Sequence, residues 1–238
     1  MLQPVVEDWT RALAIVAHPD DLEFGSAAAI ARWTRQGKQV SYVLVTSGEA
    51  GIDGMAPDQT RRVREEEQRA GAAIVGVEVV EFLSHQDGII EYGVPLRRDL
   101  TAAIRRHRPE IVITNNFRDT WDGAVALNQP DHIATGRATL DAARDAANRW
   151  IFPDQGEQWT GVREVWAAGS PDAQHGVDIT ETFDAGVASL LAHDAYLRGL
   201  GGGDFDAEEF LESISRPHGA QMGCRYATVF EVFPLQRF

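Results

Sequence analysis

One stretch of the 238-residue chain collects residue types that can do chemistry: Ala17-His18-Pro19-Asp20-Asp21-Leu22-Glu23. It carries an imidazole and two adjacent carboxylates, with a proline between the histidine and the acids. Pro19 fixes its own φ and biases His18 toward an extended backbone, which stiffens a short loop. Such a loop can hold His18 and one of the aspartates around a single metal ion. Adjacent side chains tend to point apart, so Asp20 and Asp21 are expected to do different work. One binds the metal and the other faces the water it activates. The bland alternative is a polar turn in which an aspartate caps the next helix.

A second motif, Gln129-Pro130-Asp131-His132, favours the metal reading. Three protein ligands with one open position is the usual plan of a catalytic zinc site, and sets that mix histidine with carboxylate serve it. His18, Asp21 and His132 supply such a set.

The elements that must position these residues alternate along the chain. Residues 12–16 are an apolar run that predicts a buried strand ending at the first motif, and a helix over 26–36 follows. A strand over 39–46 leads into a glycine-containing loop at 47–54. A helix over 57–75, a strand over 77–83, a helix over 94–108 and a short strand over 111–114 come next. The charged residues 61–69 are expected mostly on a solvated helix face. Residues 115–130 predict a long polar loop with Trp121 and Gly123 in it, a length that is often functional. A helix over 131–148 then opens at the second motif.

The last third is less regular. It predicts a strand over 162–168, an apolar segment over 176–179, a helix over 183–197, a glycine-rich break at 199–203, a short helix over 206–215 and a strand over 227–233. The alternation predicts a single α/β domain, Rossmann-like, with a mostly parallel sheet and helices on both faces. Both motifs then fall at carboxyl ends of strands, where such folds bind ligands.

A chain of this length can bury one large core. The formal net charge of -14 argues against nucleic acid and anionic membrane as partners. No apolar run approaches the roughly 20 residues of a membrane span. The single cysteine, Cys224, rules out an internal disulfide and a cysteine-rich zinc site. With no basic segment followed by an apolar one near Met1, the expected location is cytoplasmic.

Ala-His-Pro-Asp-Asp-x-Glu near the N-terminus, with Pro-Asp-His opening a later helix, resembles the PIG-L/LmbE family. Thr46-Ser47-Gly48-Glu49, Arg64-Glu65-Glu66-Glu67, Gly76-Val77 and Asp87-Gly88 add support, and the resemblance covers roughly residues 10–195 of one domain spanning 1–238, leaving 196–238 as an irregular C-terminal part. The family comprises zinc-dependent de-N-acetylases acting mainly on N-acetylglucosaminyl compounds. The resemblance implies an LmbE-like fold and one Zn2+ per chain, held by His18, Asp21 and His132. It implies Asp20 as the general base, and Glu23 and Asp131 as residues that orient the ligands by hydrogen bonds. Arg64 and Asp87 match positions that contact sugar hydroxyls in some relatives. The partner implied is a small N-acylated substrate, an amino-sugar conjugate; self-association is left open.

One position departs from the family. Many relatives carry His-Pro-Asp-His, and this chain has Gln129 at the first place. An amide can donate a hydrogen bond to an oxyanion but does not titrate near neutral pH. His85 and His193 are the candidate replacements for the missing acid. The reaction implied is hydrolysis of an acetamide, with Asp20 taking a proton from water and Gln129 facing the oxyanion. Three alternatives stand beside it: a same-family amidase acting on a non-sugar amide, a relative that binds metal without catalysis, and a nucleotide binder. The last lacks a Gly-x-Gly-x-x-Gly after the first strand.

Overall fold

The computed structural model describes residues 1–121, 126–200 and 205–235. In chain order the elements are β1 (Gln3–Pro4), β2 (Arg11–Val16), α1 (Ala27–Arg35), β3 (Gln39–Leu44), α2 (Pro57–Ile74), β4 (Val79–Phe82), α3 (Val94–His107) and β5 (Ile111–Asn115). Then come β6 (Thr120–Trp121), β7 (Ala126–Leu127), α4 (Pro130–Ala146), β8 (Glu164–Ala168), β9 (His175–Asp178), α5 (Phe183–Leu191), α6 (Asp194–Gly199), α7 (Ala207–Met222) and β10 (Ala227–Pro234).

Alternation along β2 explains why the sheet is covered on both sides. Ala12, Ala14 and Val16 enter one apolar core with α1, while Leu13 and Ile15 enter a second core with α3 and α4. A strand buried on both faces is the pattern of a parallel sheet. β2 pairs in parallel with β3 on one side and β5 on the other. β4 adds beyond β3, and β8 beyond β5, again in parallel. The chain therefore moves outward one way from β2 to β4 and the other way from β5 to β8. The order reverses between β2 and β5, and the crevice at such a reversal is where this class of sheet binds ligands. The first motif leaves β2 there, and the second follows β5.

Several expectations differ in detail. The long polar loop carries an antiparallel pair, β6 with β7, in which Thr120 faces Leu127 and Trp121 faces Ala126. Gly123 and residues 201–203 of the expected break lie outside the described residues. The helix expected over 183–197 is two helices, because His193 turns into the core and the α6 amide of Ala195 donates to Glu67 of α2. The C-terminal part is not irregular. α7 starts on a side-chain cap from Asp206, runs through Pro217 and ends at Gly223 with φ 77. β10 then enters the sheet antiparallel between β8 and β9, with the run Ala227, Thr228, Val229 and Phe230 buried there. Among the described residues no helix is long and apolar enough to cross a membrane.

Candidate active site

The turn after β2 is held from both sides. The His18 N–H donates to Asp21 Oδ2 at 2.9 Å, and the Asp20 carbonyl accepts the Phe24 N–H at 3.0 Å. Asp20 itself has φ 88, a backbone region that side-chain-bearing residues seldom adopt. Its N–H donates to Gln68 Oε1 at 2.9 Å, and its Oδ2 accepts from Arg64 Nη2 at 2.8 Å. The Tyr196 ring of α6 lies over the same arginine, its centroid 4.0 Å from the Arg64 guanidinium carbon. This geometry sends Asp20 toward α2 and Asp21 toward the two histidines.

His132 stands on the first turn of α4, on the far side of the crevice. Its orientation is set by Asn128. The Asn128 amide nitrogen donates to the carbonyls of Asn116 and Arg118, at 2.8 and 3.0 Å. That leaves Asn128 Oδ1 to accept from the Gln129 N–H and from His132 Nδ1, at 2.8 and 3.0 Å. With the proton on Nδ1, the lone pair of His132 Nε2 faces Asp21 Oδ1 at 2.9 Å. The contact is close but is not a hydrogen bond: Nε2 is buried without a hydrogen-bond partner. A lone pair aimed at a carboxylate oxygen needs a cation or a proton between them.

His18 completes the cluster. Its Nε2 lies 3.1 Å from Asp87 Oδ1 and 3.2 Å from Asp131 Oδ2, and its Nδ1 lies 3.7 Å from Asp21 Oδ1. Two overlapping groups could hold a metal ion: His18, Asp21 and His132, or His18, Asp87 and Asp131. The second has its acceptors in use. Asp131 takes the N–H groups of Gly88 and Ile90 at 2.8 and 3.0 Å, and Asp87 takes that of Ala50 at 2.8 Å. Donation from His18 Nε2 to these carboxylates frees Nδ1 toward Asp21. His18 Nδ1, Asp21 Oδ1 and His132 Nε2 are thus a donor set that fits a divalent cation.

The electrostatics fit the same division. Burial works against a charged His18, but Asp21, Asp131 and Asp87 outweigh it and hold its pKa well above the ordinary value. Burial raises Asp21, yet positive charge on the His132 and His18 side, the proton or cation that the facing lone pair calls for, overcomes that and keeps its carboxyl far below the usual range. Asp20 goes the other way. Burial pushes it up to about 7, with Arg64 opposing and Asp21 adding to the rise.

Three expectations about site residues, those for Glu23, Arg64 and Asp87, are altered by this geometry. Glu23 touches none of the three candidate ligands. It points into the core, where its Oε1 accepts from Gln68 Nε2 at 2.9 Å, and burial raises its pKa to about 8. Arg64 does not offer its guanidinium to an open cleft. It is only 2% exposed and is committed to Asp20 and to the carbonyls of Pro19 and Gly48. Asp87 is committed in the same way, to His18 and Ala50. Asp131, by contrast, does orient a candidate ligand, His18, while tying the turn at 87–90 to α4.

Gln129 is exposed at the N-cap of α4, where its side chain makes no capping bond. Neither histidine proposed in place of the missing acid reaches the cluster. His85 pairs with Asp99 at 3.0 Å, and His193 is buried 3.6 Å from Glu23, with its pKa held down to about 3 by that burial. Asn128, Gln68 and Tyr196 went unnoticed in the sequence. Asn128 lies four residues before His132, a spacing that offered a signal.

An α/β sheet with a His/Asp cluster at its order reversal defines a class of protein. Comparison with known proteins narrows it: residues 13–143 match the family described as PIG-L, GlcNAc-PI de-N-acetylase, and the chain belongs to that family. A curated relative, the diacetylchitobiose deacetylase of Thermococcus kodakarensis, is 31% identical over 236 residues, covering 95% of this chain and 84% of the relative. The 1D-myo-inositol 2-acetamido-2-deoxy-alpha-D-glucopyranoside deacetylase of a Nocardioides species is 29% identical over 66% of this chain, a match that takes in 62% of its own length. Among solved structures, the N,N'-diacetylchitobiose deacetylase of Pyrococcus horikoshii superposes with a TM-score of 0.85 at 22% identity, over 96% of this chain and 85% of that one. That likeness establishes a shared fold.

Proposed function

We propose that this chain is a metal-dependent amide hydrolase that removes an N-acetyl group from an amino-sugar substrate, and that the metal is zinc. The observation that carries the reading is His132 Nε2, a buried nitrogen without a hydrogen-bond partner whose lone pair faces Asp21. His18, Asp21 and His132 would hold the ion, and Asp131 and Asn128 would fix the two rings. When bound, zinc supplies a Lewis acid that polarises the acyl carbonyl and brings the pKa of water toward about 7. Asp20 takes the proton of the attacking water and carries it to the departing amine. Burial places its carboxyl near neutrality, where a group can both accept and release a proton. Arg64, under the Tyr196 ring, holds that carboxylate in place. Gln129, at the rim of α4, donates an amide hydrogen to the oxyanion.

The activities of the relatives support an amino-sugar acetamide over the amidase alternative. The lone cysteine accords with a cytoplasmic location. The test is a panel of acetylated sugars, including N-acetylglucosamine and N,N'-diacetylchitobiose, incubated with zinc-loaded protein and read by release of free amine. Asp20→Asn is expected to keep its metal and lose about 10²–10⁴-fold in turnover. His132→Ala is expected to lose both metal and activity. Wild-type metal content in His132→Ala would refute the ligand set, and a zinc-loaded wild type that frees no amine from the panel would refute the activity.

A further inference from the structure

α2 presents a buried stripe that is polar. Arg64 and Gln68 lie one turn apart on it, on the same face. Arg64 takes the Asp20 carboxylate and the Pro19 carbonyl, and Gln68 takes the Asp20 N–H. Gln68 is fully buried, a costly place for an amide unless both of its ends are used. Both are: Oε1 accepts from Asp20 N–H at 2.9 Å, and Nε2 donates to Glu23 Oε1 at 2.9 Å. The reverse orientation would set its NH2 against the Asp20 N–H and its carbonyl against a carboxyl group. The Asp20 N–H, which can only donate, therefore decides which end of Gln68 faces the loop, and Glu23 takes the NH2 at the other end.

We propose that Gln68, braced at its far end by Glu23, is a positioning residue: its carbonyl holds the Asp20 peptide at positive φ and so aims the Asp20 carboxylate at the reacting centre. Nothing else in the turn takes the Asp20 N–H. Without the Gln68 acceptor that N–H would be buried and unpaired, and nothing would oppose rotation of the peptide to negative φ, which relieves the strain. The same rotation swings the carboxylate away from Arg64. None of His18, Asp21 and His132 hydrogen-bonds to Gln68, so the metal donors would stay. This assignment rests on Asp20 being the base, and it accounts for Glu23, which sits close to the ligands in sequence and touches none of them.

The test is Gln68→Met, which keeps length and burial and removes donor and acceptor together. Zinc content is expected to match wild type, kcat to fall about 10–100-fold and KM to change little, as for a misplaced reacting group. Two readouts do not depend on turnover. Amide hydrogen exchange at Asp20 should accelerate, and a crystal structure should show Asp20 away from positive φ. Unchanged kcat with Asp20 still at positive φ would overturn the assignment. If wild type proves inactive on every acetylated sugar, the proposed function fails, while the exchange rate and the Asp20 backbone still decide the role of Gln68. If Gln68→Met does not fold, the comparison moves to Glu23. Glu23→Gln retains an oxygen that can accept from Gln68, whereas Glu23→Met does not. A lower kcat in Glu23→Met than in Glu23→Gln supports the assignment, and equal or reversed values overturn it, since a role in packing alone favours the apolar side chain.

Discussion

The residue that most constrains the chemistry is Asn128, because it fixes a tautomer. Its amide is oriented by two backbone carbonyls, so its oxygen must accept from His132 Nδ1, and Nε2 is left as the free donor to a cation. A partner on the remote ring nitrogen both orients the imidazole and raises its basicity. Asn128→Ala is therefore expected to weaken zinc binding about 10–100-fold, read by competition against a chromophoric chelator. Unaltered affinity would mean that Trp121, packed edge-on against His132 at 5.8 Å, holds the ring by itself. His18, Asp21 and His132 were legible in the sequence because imidazole and carboxylate in short proline-bearing motifs are uncommon combinations. Asn128 and Gln68 were not. An amide is found on turns and surfaces everywhere, and only the fold shows that these two are buried with both ends engaged.

At the scale of elements, the site depends on how closely the loop after β3 approaches α2. Gly48 has φ 64, and a Cβ there would lie 2.6 Å from Cζ of Arg64. Arg64 has little room to yield, because it is buried and bonded to the Gly48 carbonyl as well as to the Asp20 loop. Gly48→Ala thus combines backbone strain with displacement of the arginine, and is expected to cost about 1–3 kcal/mol in urea denaturation. It should also lower turnover by freeing the Asp20 carboxylate, with zinc content intact. A stable variant with full turnover would show that the guanidinium can shift without consequence. Periodicity placed α2 and read its charged run as mostly a solvated face, which holds for that run apart from Arg64. Helical spacing cannot tell a polar stripe that faces a site from one that faces water, and Arg64 and Gln68 belong to the first kind.

Across the whole molecule, the sheet is completed by its last strand. β10 lies between β8 and β9, so β9 and β1 reach the parallel strands only through it. The alternation of strands and helices made the parallel half legible from sequence, since a strand followed by a helix and another strand calls for a parallel crossover whichever neighbour it joins. The antiparallel insertion of β10 was not legible, because the pairing of 227–234 with 164–168 joins segments some sixty residues apart without a turn signal to announce it. Phe230 is where that insertion can be tested. It is fully buried and meets Trp33 and Trp166 at ring-centroid distances of 5.9 and 5.8 Å, and both of these pack on Trp9 from the N-terminal segment. One ring thus links the C-terminal strand to α1, β8 and the segment before β2. Phe230→Ala is expected to cost about 3–5 kcal/mol, the usual range for emptying a buried phenylalanine site. The near-UV signal of the tryptophans should weaken with it, as their packing loosens. The candidate metal ligands lie on other elements, so the folded fraction should bind metal as wild type does. A loss well below that range, with an unchanged tryptophan signal, would mean that β10 is appended to a sheet already stable without it.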